Sequence, residues 1–327
     1  MFKQYFKFIV RKLSRNRVYT VINIVGLSIA FSAAWLIYSH TSNEWNMDGY
    51  LKNSDNIYRV ITRYGDEDFW NCRTNTPFGP AAKRAFPEIV QVARYFQKDY
   101  RIKIKDDQDF TIEPKLAFVD PPFFDLFEIP VIQGKIDTTV FSWIVFTETS
   151  AKRYFNKENP IGKTVTIKDG INNRKKDIKC QVVAVIKDFP ANSTIQANII
   201  VDCRQGIPYF DEHRGNYSLY TYFHILPTAD LRAIEKKLPT IASNMPDDVN
   251  HFSHRLQPLK DIYFHSEHLR EDELLRGSQS LTYLLWSITI LILLLAAGNF
   301  LLIRIAQQDR DSSRFAIHKC YGASNKH

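Results

Sequence analysis

Residues 162–164 read Gly-Lys-Thr, which has the chemistry of the end of a phosphate-binding P-loop, where a lysine and a hydroxyl follow a glycine. The full motif needs its first glycine at position 157, where this chain has Lys157, and no glycine-rich stretch precedes the triplet. We therefore expect that the chain does not bind ATP by itself.

Four histidines form two pairs with three-residue spacing, His251 with His254 and His265 with His268. On one helical face such a pair could offer imidazoles to a metal ion. The intervening segment LQPLKDIYF is typical of a strand and a turn, so the pairs need not converge, and we favour solvated or hydrogen-bonded histidines. No nucleophile elbow of the G-x-S-x-G type occurs. We expect no catalytic residue, metal site or cofactor on this chain.

Two uncharged stretches, residues 18–39 and 281–303, flank a large central segment. At 1.5 Å per residue each gives a helix of roughly 33 Å, enough for a hydrocarbon core of about 30 Å. The alternatives are a cleaved signal peptide for the first stretch and a buried core helix for the second. Both stretches are long for those roles, so we predict two transmembrane helices.

The charge distribution predicts the orientation of the chain. The formal net charge is +8, of which residues 1–17 contribute +6 and residues 304–327 contribute +3, leaving the rest near −1. Because positive residues that flank membrane spans stay in the cytoplasm, we expect an inner-membrane protein with both termini cytoplasmic and residues 40–276 extracytoplasmic. The central segment is close to neutral, so no nucleic-acid partner is expected.

Residues 1–17 have an apolar pattern of their own. Phe2, Phe6, Ile9, Val10 and Leu13 recur at three- and four-residue spacing, while Lys3, Lys7 and Arg11 fall on another face. This pattern predicts a cytoplasmic amphipathic helix that contacts the lipids of the inner leaflet. A plain extension of the first span is the alternative.

Three of the four cysteines, Cys72, Cys180 and Cys203, fall in the predicted extracytoplasmic segment, and Cys320 falls in the cytoplasmic one. Three cysteines allow at most one internal disulfide in an oxidising compartment. Their spacing assigns no pairing.

The central segment has the patterns of a mixed domain. Runs rich in β-branched and aromatic residues predict strands at 56–62, 143–148, 163–168, 180–189 and 220–226. Helical patterns predict helices at 79–86, 149–155 and 229–238, the second with Thr149 as its N-cap. The length allows two subdomains. We therefore predict an α+β extracytoplasmic domain of two subdomains, inserted between two transmembrane α-helices.

Several phrases follow one another along the chain. NIVGLSIAFSAAWLI (23–37) and SDNIYRV (54–60) come first, and YFNKENPIGKTV (154–165), VVAVIKDFPANSTIQANIIV (182–201) and LQPLKDIYFHS (256–266) follow. The last is LLLAAGNFLLIRIAQQDRDSSRFAIHKCYGAS (293–324). In this order, and together with both spans, the chain resembles permease subunits of the macrolide-exporter (MacB) and FtsX-like family of ABC transporters.

The resemblance implies a MacB-like periplasmic core domain and a function without a catalytic residue on this chain. Family permeases pair with a second permease copy or half and with cytoplasmic ATPase subunits that bind the ATP. Closure of the ATPases moves the extracytoplasmic domains, a process called mechanotransmission, which acts on a substrate or partner outside the membrane. The resemblance names neither that partner nor the exported substrate.

The phrases also contain residues with a structural interpretation. The turn-forming set is Asn159, Pro160, Gly162, Asp188, Pro190, Asn192 and Ser193. Pro removes a backbone donor and Asn tolerates bent backbone, so we expect these residues to shape the domain, with ligand binding as the alternative. Gly26 can permit close packing of helices in the membrane, and the alternative is a small residue that is simply tolerated there.

The cytoplasmic end resembles the segment through which family permeases contact the ATPase. The residues concerned are Arg314, Phe315, Ile317, His318, Lys319, Gly322 and Ala323. Arg314 stands where the family has an acid, Ala316 where glycine is common and His318 where arginine is usual, which weakens the expected coupling. Family permeases continue into further spans, so we also expect that residues 1–327 are a fragment, a frameshift product or a half-unit.

Two other classes of protein share the topology. A two-pass sensor would need a cytoplasmic signalling domain, for which residues 304–327 are too few. A membrane-anchored enzyme would need a catalytic constellation, which the sequence lacks. A membrane-anchored scaffold or ligand-binding module without transport activity is therefore the alternative to the permease.

Overall fold

The computed structural model describes residues 17–65, 67–104, 109–137, 139, 142–168, 177–205, 219–243 and 252–320. The chain divides into two units, which are described separately. One contains the first and last helices, and the other is the central domain Asn46–Gly277. The predicted amphipathic helix at residues 1–17 lies outside the described residues except for Arg17.

The helices are α1 (Arg17–Trp45), α2 (Phe78–Ala85), α3 (Phe123–Leu126), α4 (Glu148–Phe155), α5 (Leu231–Ser243) and α6 (Gln279–Cys320). The first six strands are β1 (Ile57–Tyr64), β2 (Trp70–Asn71), β3 (Ile89–Lys103), β4 (Thr111–Val119), β5 (Val131–Gly134) and β6 (Trp143–Thr147). The remaining strands are β7 (Thr164–Ile167), β8 (Ile178–Ile186), β9 (Ile199–Asp202), β10 (Tyr220–Ile225), β11 (Phe252–Pro258) and β12 (Leu269–Arg270).

Helices α1 and α6 contain the two uncharged stretches, and each is long and apolar enough to cross a membrane. They pack on each other through a few small or polar residues, with Ala30, Ala34 and Thr41 of α1 buried. Thr282 of α6 is also buried, and its Oγ1 donates to Glu44 Oε2 at 2.9 Å. In residues 17–45 and 279–303 most other side chains are exposed, which leaves wide apolar faces such as a surrounding bilayer would cover.

The strands of the central domain join into one sheet. In the described part of the chain the order is β12-β2-β1-β10-β3-β4-β9-β6-β8-β5, and β11 also pairs with β1. Strand β7 pairs with both β3 and β8, so the pairing returns to β3 and closes a circuit of six strands. The order mixes antiparallel pairs of consecutive strands, such as β3 with β4, with parallel pairs that are far apart in sequence, such as β4 with β9.

Side-chain alternation places separate cores on opposite faces of this sheet. In β4, Leu116 and Phe118 enter one apolar cluster, whereas Ala117 and Val119 enter another. In β10, Tyr220 and Tyr222 join the second of these clusters, and Phe223 and Ile225 join a third, which lies under α2 and α5. Because successive strand residues point to opposite faces, both faces are buried along these strands.

The predicted elements of the central domain are confirmed at their cores. Each of the five predicted strands overlaps an observed strand, and each of the three predicted helices overlaps α2, α4 or α5. The strand predicted at 180–189 ends at Ile186, and the N-cap of α4 is Thr147, whose side chain accepts from Ser150 N, so the prediction of Thr149 was wrong. Apolar patterning predicts the position of a helix or strand well, whereas an N-cap is a single residue that such patterning does not identify.

Candidate functional site

The loop that joins β8 to β9 contains Asp188, Pro190, Asn192 and Ser193, four of the residues selected from the sequence. Ser193 N donates to Pro190 O at 3.1 Å, which closes a tight turn. Gln196 Nε2 donates to the carbonyls of Pro190 and Ser193 at 2.8 and 3.0 Å. The loop therefore has internal hydrogen bonds and a defined shape.

Asp48, three residues after α1, binds this loop with its carboxylate. The side chain of Ser193 donates to Oδ1 at 3.1 Å, Thr194 N donates to Oδ1 at 3.0 Å, and Thr194 Oγ1 donates to Oδ2 at 2.6 Å. Asp48 N donates in turn to Asn192 O at 2.7 Å. Asp48 is 1% exposed, so these bonds form away from water. We call Asp48 with Asn192, Ser193 and Thr194 the junction clamp.

Burial and hydrogen bonding act in opposite directions on Asp48. Burial raises the pKa of its carboxyl group, and the hydrogen bonds from Thr194 and Ser193 lower that pKa without cancelling the effect of burial. The carboxylate nevertheless meets three donors, which is the arrangement that makes a buried charge tolerable.

Two further contacts hold the chain beside Asp48 to the same loop. Asn192 Nδ2 donates to Asn46 O at 2.9 Å, and the Tyr50 hydroxyl donates to Ser193 Oγ at 3.1 Å. Burial raises the pKa of Tyr50 to about 12, so this hydroxyl stays a donor at neutral pH. The first residues of the central domain are thus fixed by main-chain and side-chain bonds together.

The last residues of the central domain meet the same loop from the other end of the sequence. Leu275 N donates to Thr194 O at 3.5 Å. Gly277 N donates to Tyr263 O at 2.9 Å, and a Cβ at Gly277 would lie 2.2 Å from the Tyr263 ring, so the backbone passes close to that side chain. Thr194 therefore contacts the segment that follows α1 and the segment that precedes α6.

Asp188, at the start of the loop, holds a different element. Its carboxylate accepts from Thr149 N at 3.0 Å and from Thr149 Oγ1 at 2.6 Å, at the N-terminal turn of α4. Burial raises the pKa of Asp188, but the hydrogen bonds from Thr149 outweigh it, so the pKa lies below its usual value. A carboxylate at a helix N-terminus also interacts favourably with the helix dipole.

Asn159, Pro160 and Gly162 form a turn that enters β7. Lys163 N donates to Pro160 O at 3.1 Å, and Gly162 has a φ of +83°, which is the geometry of a type II turn. Asn159 Oδ1 accepts from Ile161 N at 3.0 Å and stabilises the entry to the turn. Because Thr164 begins a strand, the Gly-Lys-Thr triplet lacks the helix that follows a P-loop.

The other residues selected from the sequence lie elsewhere. Gly26 of α1 lies opposite Asn299 of α6, since a Cβ at Gly26 would be 3.9 Å from Asn299 Nδ2. The backbone of Arg314, Phe315, Ile317, His318 and Lys319 is part of α6, and Gly322 and Ala323 lie outside the described residues.

The histidine and cysteine residues form no site in the described part of the chain. His251 lies outside it, while His254 is buried against Phe78, with ring centroids 4.5 Å apart. Among the described residues, no group of three or more His, Cys, Asp or Glu side chains could hold a metal ion. Cys72, Cys180 and Cys203 are buried, and no disulfide joins them.

Sequence reasoning missed Asp48 and Thr194, the two residues at the centre of the junction clamp. They are 146 positions apart, and each is an ordinary polar residue in a short turn-like segment. The only available signal was position, because Asp48 follows the first span closely and Thr194 ends the phrase DFPANST.

The architecture defines a class of protein: an α+β domain inserted between two apolar helices. The family model of the MacB-like periplasmic core domain matches residues 20–241, about two thirds of the chain. The chain therefore belongs to the family of MacB-like periplasmic core domain proteins, which confirms the resemblance to permeases of the MacB and FtsX-like family. No match is found among curated proteins.

Three solved structures are similar to this chain. A domain of a candidate permease protein from Porphyromonas gingivalis is 17% identical, with a TM-score of 0.54 over 71% of this chain and 97% of that one. The periplasmic region of MacB from Actinobacillus actinomycetemcomitans is 15% identical, with a TM-score of 0.43 over 62% of this chain and 88% of that one. The extracellular domain of the noncanonic ABC-type transporter YknZ from Gram-positive bacteria is 12% identical, with a TM-score of 0.46 over 62% of this chain and 100% of that one.

Proposed function

We propose that this chain is the membrane subunit of an ABC-type permease that couples ATP hydrolysis on a partner chain to movement of its extracytoplasmic domain. The observation that supports this most is the loop between β8 and β9, which holds both chain ends of the central domain. Thr194 binds Asp48 on the α1 side and Leu275 on the α6 side. Movement transmitted by α1 or by α6 would therefore reach the same buried residue, Thr194.

The clamp has the mechanical properties that such coupling needs. A displacement of Asp48 would have to break three hydrogen bonds that are buried away from water, where such bonds are stronger than in solvent. The loop is also joined through Asp188 to α4, which carries displacement from the chain ends into the body of the domain.

The charge distribution supports a cytoplasmic position for both termini and an extracytoplasmic position for the central domain in the inner membrane. The ATPase would then meet the cytoplasmic end of α6, at Arg314, Phe315, Ile317, His318 and Lys319 with Gly322 and Ala323 beyond. The ATP would be bound by that partner. A second permease copy or half, membrane lipids and an extracytoplasmic partner complete the proposed assembly.

The work done by this assembly would be the export or extrusion of a substrate by mechanotransmission, with no catalytic step on this chain. A membrane-anchored scaffold or ligand-binding protein without transport is the competing function. Arg314 and His318, which depart from the family pattern at the ATPase contact, are the observation that favours it.

Site-specific cross-linking tests the ATPase partner. A photo-reactive residue at Phe315 in the full chain, in its native membrane, should cross-link to a protein that mass spectrometry identifies as an ATP-binding-cassette subunit. The matched control places the same residue at Lys115, an exposed position of the central domain, and should give no such product. If position 315 gives no cassette protein and mild detergent co-purifies none, the scaffold function replaces the permease.

A further inference from the structure

The segment that precedes α6, residues 271–277, belongs to no helix or strand. The preceding strand β12 ends at Arg270, and Glu271 has a φ of +59°, which turns the chain away from the sheet. Asp272 and Leu274 are buried, while Glu271, Glu273 and Leu275 are exposed. The segment therefore alternates like a strand without the hydrogen bonds of one, and we call it the terminal strap.

The strap is fastened mainly by side chains. The Tyr220 hydroxyl donates to Glu271 O at 3.2 Å and accepts from Glu273 N at 2.8 Å. Its backbone otherwise bonds to the central domain through Leu275 N and Gly277 N, described above. Local opening of such a segment breaks few main-chain bonds, so it needs less free energy than opening a strand of the core.

One of the buried side chains of the strap is charged. Asp272 Oδ2 lies 2.9 Å from Arg59 Nη1, and both side chains are 0% exposed. Arg59 Nη2 also donates to Gln257 Oε1 at 2.7 Å and to Ser266 Oγ at 2.9 Å. The side chains facing Asp272 from the neighbouring elements are Arg59, Tyr220, Tyr222 and Cys72, so Arg59 is the cation that neutralises it.

Arg59 belongs to β1, the first strand after the junction clamp, so the ion pair joins the beginning of the domain to its end by a second route. A fully buried ion pair contributes little net stability, because desolvation of both charges offsets their attraction. It does fix one arrangement, because a displaced partner leaves the other charge buried and uncompensated.

We propose that the terminal strap detaches from the central domain as a unit, and that the Arg59–Asp272 ion pair is the contact that holds it in place. In the permease proposed above, movement of α6 would be transmitted through the strap while the ion pair is intact, and loss of the ion pair would interrupt that transmission. The role of the strap in transport rests on the proposed function, whereas its detachment as a unit does not.

Amide hydrogen exchange on the full chain in detergent micelles tests, without any ATPase, whether the Arg59–Asp272 ion pair holds the strap. Asp272→Asn should raise exchange in residues 271–277 by about tenfold or more, while exchange in β1 and β10 changes much less. The matched control is Glu273→Gln, since Glu273 pairs with Arg73 at 3.0 Å but is 66% exposed, and it should leave exchange in the strap nearly unchanged.

A second variant covers the case in which Asp272→Asn leaves Arg59 buried without a partner and unfolds the domain. Arg59→Met with Asp272→Ala removes both charges and leaves only a methyl group at position 272 to hold the strap, so the domain should stay folded while the strap exchanges about tenfold faster. Unchanged exchange in the strap, or equal increases in the strap and in β1, would overturn the proposal. Failure to cross-link an ATPase at position 315 would instead refute the proposed function and leave the strap intact.

Discussion

Thr194→Val isolates the side-chain bond at the centre of the junction clamp. Thr194 is 1% exposed and its Oγ1 donates to the Asp48 carboxylate at 2.6 Å, so valine keeps the shape and removes one donor. A hydrogen bond to a charged group contributes about 1.5–3 kcal/mol. Because Thr194 N and Ser193 Oγ still bind the carboxylate, we expect a loss near the lower limit, about 1.5–2 kcal/mol.

Urea unfolding of the detergent-solubilised full chain, followed by tryptophan fluorescence, measures this loss. Hydrogen exchange should show that amides of residues 46–51 lose protection first. Thr228→Val is the matched control, because Thr228 is exposed in a turn, and it should change the free energy of unfolding by less than about 0.5 kcal/mol. The loss in Thr194→Val should also shrink in acid, since protonation of Asp48 at its raised pKa weakens it as an acceptor.

The reasoning fails if Thr194→Val unfolds like Thr228→Val, within about 0.5 kcal/mol, and residues 46–51 keep their protection. That result would mean that the first residues of the domain are held by packing, and that Asp48 is not a fastening. Equal loss of protection throughout the domain would likewise refute a clamp that acts locally at the chain ends.

Two other measurements test the environment of single residues. Burial lowers the pKa of His254 from 6.5 to about 3, so the unfolded chain binds a proton that the folded chain does not, and stability is lost as pH falls below 6.5. Between about pH 7 and about pH 5 the loss should be about 2 kcal/mol, and urea unfolding of His254→Phe should remove most of it. Gly162→Ala, at a φ of +83° in open space, should cost about 1–2 kcal/mol. Gly134→Ala should cost more in the same assay, because its Cβ would lie 2.3 Å from Val183 O.

Strands with continuous apolar runs, such as β6 and β10, could be predicted from the sequence because their composition is typical of buried strands. Strand β3 could not, since its fifteen residues include exposed polar positions around Lys98 and its pairing partners change along its length. Helix α1 continues to Trp45, past the predicted end at residue 39, because a helix need not end where its apolar stretch does.

The candidate site divides in the same way. The loop between β8 and β9 could be predicted as a turn, because proline and asparagine impose local geometry. The partner that the loop binds could not be predicted, since the contact of Asp48 with Thr194 is set by the pairing of β8, β6 and β9 and leaves no periodic trace in either segment. The ion pair of Asp272 could likewise not be predicted, because its partner Arg59 lies on β1 and is close only in the folded domain.

The buried thiols of the central domain have a practical consequence. Burial raises the pKa of Cys72 and of Cys180 to about 12, and Cys203 is 0% exposed, so neither oxidants nor maleimides should reach these sulfurs while the domain is folded. A cysteine introduced at an exposed position of this domain can therefore carry a spectroscopic label in the presence of the three native ones. The native thiols then serve as an internal record of unfolding, because each becomes reactive only when the core around it opens.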